Sequence, residues 1–272
     1  MANRVIDDQI VVANTVTKLG PECKGRVVLG ASHGGVYAAY LTVKAKARGV
    51  ILNDAGRAKD DSGISGGPYC QDLGIPFATT DTMSCRIGDG ESAVDEGVIS
   101  FANPLALSLG VTLGMSAIDA ALFMTKAALT HKPAPSYAEA RKELSGNPRE
   151  RMIVLMDSIS LVNDQDGGRI IVSGSHGATP GADPAMAIRG DAFAGIFHDA
   201  GGGKDDAATS RLPALDQRGI IAGTVACMSA RIGDGESIYR DGVLSHVNET
   251  AKAAGGVVGM PAKTFIDSLI TK

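Results

Sequence analysis

The apolar positions of the chain fall into short β-branched runs separated by longer stretches with helical spacing. Arg26–Leu29, Gly49–Leu52 and Ile75–Thr79 read as buried strands. Val36–Ala47, rich in Ala, Leu and Lys, reads as the helix between the first two, and Ser65–Leu73 as a short helix before the third. Val111–Leu113 predicts a fourth strand. The order returns later in the chain at Arg169–Val172, Phe193–Phe197, Ile220–Val225 and Val257–Val258. Strands separated by helical crossovers predict a parallel sheet covered on both faces.

The return is a true repeat. Arg-Ile-Gly-Asp-Gly-Glu-Ser stands at Arg86–Ser92 and again at Arg231–Ser237. Ser32-His33-Gly34 is answered by Ser175-His176-Gly177, and Asp54-Ala55-Gly56 with Lys59-Asp60-Asp61 by Asp199-Ala200-Gly201 with Lys204-Asp205-Asp206. The spacing is 143 residues at the serines and 145 from Asp54 onward. The expected fold is therefore α/β, a tandem duplication of a parallel-sheet unit with the copies related by a pseudo-twofold axis. Residues 1–129 form the first repeat, 130–149 a linker and 150–272 the second. Within the linker, His131–Pro135 and Ser145–Pro148 read as loops and Tyr137–Leu144 as helical.

Composition changes this picture little. Net charge is −4 over 272 residues, with no Lys/Arg block and no Trp, which argues against nucleic acid or an anionic membrane as the main partner. Asp7 and Asp8 interrupt the first apolar residues, and the apolar window Pro104–Met124 contains Asp119, so neither a secretory leader nor a membrane span is expected. Four cysteines without a CxxC pair read as reduced thiols of a cytoplasmic protein. The 35 glycines imply many tight turns and a backbone that can approach a ligand closely.

Ligands of open α/β sheets bind beyond the carboxyl ends of the strands. The residues shared by the two repeats fall there repeatedly, and they are largely polar or glycine. Ser32 and Ser175 are candidate nucleophiles, with Lys59 and Lys204 as base or electrostatic partner and Asp54 and Asp199 beside them. His33, Gly34, Gly35, His176 and Gly177 make strand-to-helix turns suited to an anion or oxyanion. Arg86 and Arg231 offer forks for a carboxylate or imide. The copies diverge at Asn53 against His198, Thr82 against Cys227 and Cys85 against Ala230. That divergence makes His198 a candidate acid–base group, Asn53 a candidate substrate contact and Cys227 a candidate substrate contact or nucleophile, in one composite site built by both repeats. Asp89, Glu91, Asp234 and Glu236 with Asp54 and Asp60 make a divalent cation a minority reading, because no His–His or carboxylate spacing of recognised geometry is present, and no cofactor is expected.

Gly30-Ala31-Ser32-His33-Gly34 fits G-x-S-x-G and resembles the nucleophile elbow of the α/β-hydrolase family. The likeness is local. That family places several strands before its elbow, whereas 24 residues precede Gly25, and the second copy has Ser173 where the motif has its first glycine. A Ser–Lys pair in each repeat also resembles, in plan only, the cyanuric acid hydrolase and barbiturase family, which has three repeats in a longer chain.

The function expected from these residues is that of an enzyme on a small polar carboxylate, amide or imide. Hydrolysis of a C–N bond is the preferred reaction. An isomerase or lyase using Lys, Asp and His for proton transfer is the alternative enzyme. A non-catalytic module holding a small anion is the alternative outside catalysis. The plan also allows a homo-oligomer.

Overall fold

A computed structural model describes residues 3–130, 132–144, 147, 149–179 and 186–272. The chain divides into two compact units. The first comprises Met1–Arg57, Asp61–Ala138 and Gly203–Asp205, and the second Ala58–Asp60, Glu139–Gly202 and Asp206–Lys272. Each unit therefore includes three residues from the other half of the sequence.

The first unit is a six-stranded sheet in sequence order: β1 (Arg4–Ile6), β2 (Ile10–Ala13), β3 (Val27–His33), β4 (Gly49–Asn53), β5 (Phe77–Thr80) and β6 (Ile99–Ala102). The pairs from β2 to β5 are parallel, and an antiparallel strand closes each edge. Alternation along the central strands sends side chains to two cores. Val27, Leu29 and Ile51 pack with α3 (Gly90–Glu96) and α5 (Ala117–Met124) on one face. Val28, Val50 and Leu52 pack with α1 (Val36–Lys44) and α2 (Gly66–Leu73) on the other. The short helix α4 (Pro104–Ser108) follows β6, started by Pro104 and capped by Asn103.

The second unit repeats the order with β7 (Arg141–Leu144), β8 (Ile153–Met156), β9 (Ile170–His176), β10 (Ala194–His198), β11 (Ile221–Val225) and β12 (Leu244–Val247). Its helices are α6 (Arg211–Asp216), α7 (Gly235–Asp241), α8 (Glu249–Ala253) and α9 (Ala262–Leu269). Among the described residues no α-helix stands between β9 and β10, where the first unit has α1. Arg211 shows why the two units differ there. It is fully buried, stacks over Phe197 at 5.2 Å and donates to the carbonyls of His176, Met186 and Ala187. The matching residue is Gly66, where a Cβ would stand 2.7 Å from Ala39 of α1. A glycine admits the helix, and an arginine ties down the chain that replaces it.

Three expectations are corrected. Tyr137–Leu144 is not helical: Arg141–Leu144 is the edge strand β7, pairing with β8 in antiparallel register. The strand that follows β5 is Ile99–Ala102 rather than Val111–Leu113, and Leu244–Val247 rather than Val257–Val258. Leu113, Val257 and Val258 stand instead on exposed loops. Ser32-His33 and Ser175-His176 do not turn the chain but are the last residues of β3 and β9. The loop expected at Ser145–Pro148 lies, Asn147 excepted, outside the described residues. Among the described residues no helix is long and apolar enough to cross a membrane.

Candidate active site

Both sheets carry the same irregularity at their carboxyl ends. Leu29 pairs with Ile51 and His33 with Asn53, so three residues of β3 stand opposite one of β4. Val172 with Ile196 and His176 with His198 reproduce it in the second unit. Such a bulge bends the strand and re-aims its last side chains. Ser32 lies inside it, and its Oγ accepts from the Val16 N–H at 3.1 Å. Ser175 Oγ accepts from the Ile159 N–H at 3.0 Å. Each hydroxyl fastens the connection that enters its own bulged strand, and neither shares a hydrogen bond with a lysine. Ser32→Ala and Ser175→Ala each strand a backbone N–H, so each is expected to lower unfolding stability by about 1–3 kcal/mol. Urea denaturation measures this, and an unchanged midpoint in both variants would contradict the fastening role.

The polar groups of the Ser-His-Gly segments and of the residues after them are likewise engaged from within. His33 Nδ1 accepts from the Gly35 N–H and His176 Nδ1 from the Ala178 N–H, each at 3.2 Å. The Val36 N–H at the start of α1 goes to Ser65 Oγ at 3.2 Å, and the Thr179 N–H to Ser210 Oγ at 2.9 Å. The Gly34 N–H donates to the Asn53 carbonyl, and the Gly177 N–H to that of His198.

Arg-Ile-Gly-Asp-Gly-Glu-Ser is equally well explained by folding. Asp89 and Asp234 cap α3 and α7. Gly88 and Gly233 take left-handed turns, and their N–H groups hold the bulged strands at Ala31 and Gly174. A Cβ on Gly90 would stand 3.1 Å from the Ala13 backbone, and one on Gly235 2.5 Å from that of Met156.

Two of the divergent pairs, Asn53 with His198 and Cys85 with Ala230, are a volume exchange in the core. His198 is fully buried; Nδ1 accepts from the Ala200 N–H at 3.0 Å and Nε2–H donates to the Ala230 carbonyl at 3.0 Å. Burial holds it below the ordinary imidazole range, so the ring is neutral. Asn53 accepts from the Ala55 N–H at 2.9 Å and reaches Cys85 Sγ at 3.8 Å. A large ring beside alanine in one unit does the work of a small amide beside cysteine in the other. Asn53→His alone is expected to overpack and cost about 1–3 kcal/mol. Adding Cys85→Ala is expected to recover most of that cost. A double-mutant cycle in urea measures the coupling, and strict additivity would contradict the exchange.

The charged residues lie in a loop of unusual backbone. After Asp54, positive φ occurs at Ala55, Gly56, Arg57, Ala58, Asp60 and Asp61. After Asp199 it occurs at Ala200, Gly201, Gly202, Gly203, Asp205 and Asp206. Each non-glycine residue there costs roughly 1 kcal/mol or more, and strain of that kind gathers at working sites.

In the first unit the Lys204 N–H donates to the Thr82 carbonyl at 2.9 Å, and Nζ meets Glu96 Oε1 at 2.6 Å. Arg86 contacts Asp205 and lies 3.7 Å from Glu96. Ser92 Oγ donates to Glu96 at 2.8 Å, and the Lys204 ammonium holds the Glu96 carboxyl below its usual range. In the second unit the Lys59 N–H donates to the Cys227 carbonyl at 3.0 Å, and Nζ meets Asp241 at 2.8 Å. Arg231 meets Asp60 at 2.8 Å and Asp234 at 3.2 Å. Both arginine forks are thus engaged by carboxylates of the protein. Glu96 and Asp241, which sequence reasoning missed, are equivalent acids that differ in length, so matching identical residues passed over them.

Asp54 stands at the end of β4 and is 5% exposed. Its Oδ1 accepts from the Gly56 N–H at 2.9 Å and the Thr82 N–H at 3.0 Å. Burial raises its pKa above the usual carboxylate range, opposed by hydrogen bonds from Ser100, Gly56 and Thr82. Asp199 makes the matching contact with the Gly201 N–H at 2.9 Å. Among the described residues no group of three or more His, Cys, Asp or Glu is placed to hold a metal ion. No protein-family model, curated protein or solved structure matches the chain.

Proposed function

We propose that the chain is an enzyme that moves a proton next to the carbonyl group of a small carboxylate, amide or imide, in an isomerase or lyase reaction. The supporting observation is Asp54. It is a buried carboxyl with a raised pKa, hydrogen-bonded to the Thr82 peptide on which the Lys204 backbone docks. A carboxyl whose pKa is raised by burial suits general acid–base work. In this reading Asp54 takes the proton, and the Lys204 ammonium stabilises the charge that develops on the carbonyl oxygen. Asp199 and Lys59 are the corresponding pair in the other repeat. Hydrolysis through Ser32 or Ser175 is less well supported, because each hydroxyl is engaged by a backbone N–H. The test is a panel of small carboxylates, amides and imides incubated with the protein in deuterium oxide and followed by proton NMR. Deuterium entering the carbon next to the carbonyl supports the proposal. Release of amine or ammonia without such exchange points to hydrolysis, and ligand binding without either to a non-catalytic module; both outcomes overturn it.

A further inference from the structure

The amino-terminal end of the first sheet's parallel strands carries a second feature, independent of the residues at their carboxyl ends. A cleft of about 590 Å³ opens where the parallel strands begin, beside Gly25, Ala47 and Ile75. Four lysines, Lys24, Lys44, Lys46 and Lys132, line it, with Tyr40 and an apolar floor that includes Val43 and Leu129. Among the described residues no acidic one lines it, although the chain as a whole carries a net charge of −4. Lys24, Lys44 and Lys46 also line an adjoining cleft of about 580 Å³. Among the described residues these three make no ion pair.

The fold itself does not require this charge. Lys44 ends α1 and Lys46 lies two residues beyond it, where a cation complements the helix dipole, but one would suffice. Lys46 holds a left-handed backbone with φ of 63°, a conformation that favours glycine or asparagine. In the second repeat the positions of Lys24 and Lys46 are Gly167 and Asp191, and that of Lys44 is Arg189, which is paired with Asp164 at 3.6 Å.

We infer that this cleft binds a soluble organic phosphate, with its anionic oxygens on Lys24, Lys44 and Lys46 and its apolar or aromatic body against Tyr40 and the floor. The volume suits a small ligand, and lysine binds phosphate as a point charge. Several ammonium groups without a counter-ion call for more than one negative charge, which a single carboxylate does not supply. Lys44 Nζ already lies 5.9 Å from the centre of the Tyr40 ring, so head and body sites adjoin.

Isothermal titration of the full chain with ADP and with pyrophosphate tests the inference, and vesicles of phosphatidic acid provide a third arm. ADP is expected to bind about tenfold more tightly than pyrophosphate, and binding should weaken as salt rises. The pair Lys44→Gln with Lys46→Asn keeps polar side chains and suits the left-handed backbone. It is expected to weaken ADP binding by about tenfold or more, a factor reached when two charged contacts are lost. Lys126→Gln, elsewhere on the same unit, is expected to leave it unchanged. The inference is overturned if ADP does not bind at millimolar concentration. Equal affinity for pyrophosphate and ADP, equal weakening by Lys126→Gln, or binding to the vesicles alone would each overturn it as well.

Discussion

Asp54→Asn is expected to abolish turnover while leaving the protein at least as stable as the wild type at pH 7. The amide keeps the oxygen that accepts from Gly56 and Thr82 and removes the charge that burial disfavours. Loss of a general acid–base group removes about 10²–10⁴-fold in rate. The stability effect has a definite sign with pH. Asp54 is raised in the folded state, so the folded protein holds this proton more tightly than the unfolded chain does. Its contribution is fully present below the unfolded pKa and is lost as pH rises through the folded one. The advantage of Asp54→Asn over the wild type should therefore grow from acid toward neutral pH. Urea midpoints across that range measure it. A variant that is less stable at pH 7, with the difference shrinking in acid, would show that the ionised carboxylate stabilises the fold.

Gly177→Ala is expected to destabilise the second unit strongly. A Cβ at Gly177 would stand 2.3 Å from the Ala208 carbonyl oxygen and 2.8 Å from Thr224 Cγ2. The Gly177 N–H is already committed to the His198 carbonyl, and its own carbonyl accepts from the Arg211 N–H. The Ala208 backbone cannot give way and the Thr224 side chain is fully buried, so the cost should reach about 3 kcal/mol or more. Thermal or urea unfolding measures it. A loss below about 1 kcal/mol would show that the turn is loosely packed and would reopen its glycine as a ligand-approach position.

The parallel core was legible because Val27–Leu29, Val50–Leu52 and their counterparts are β-branched or apolar on both faces, as buried parallel strands must be. The edges were not. Arg141–Leu144 has the composition of a helix, and it becomes a strand only because Ile153–Met156 offers it a partner. Val257–Val258 is strongly β-forming, yet it tips an exposed loop, while Leu244–Val247 wins the edge of the sheet. The duplication marked the carboxyl ends of the strands, which is where Asp54, Lys204 and Arg86 stand. Roles were harder to read. Ser32 is defined by an N–H sixteen residues upstream, and His198 by a carbonyl thirty-two residues downstream. Neither partner leaves a pattern in the sequence. Polar residues repeated in register read as chemistry, and several of them prove to be caps, bulge fasteners and close-packing glycines. Asp54 stands apart because its burial raises its pKa, and burial is invisible at the level of a motif.

Deuterium wash-in measured side by side for wild type, Asp54→Asn and Ser32→Ala, on whichever small carbonyl compound of the panel exchanges, tests the proton-transfer account most directly. Each protein is first shown to be folded at the assay temperature. The account predicts exchange by wild type and by Ser32→Ala within about tenfold of each other, and a loss of at least about 10²-fold in Asp54→Asn. Exchange that persists in Asp54→Asn and disappears in folded Ser32→Ala would contradict it and return the serine hydroxyl to the centre of the chemistry.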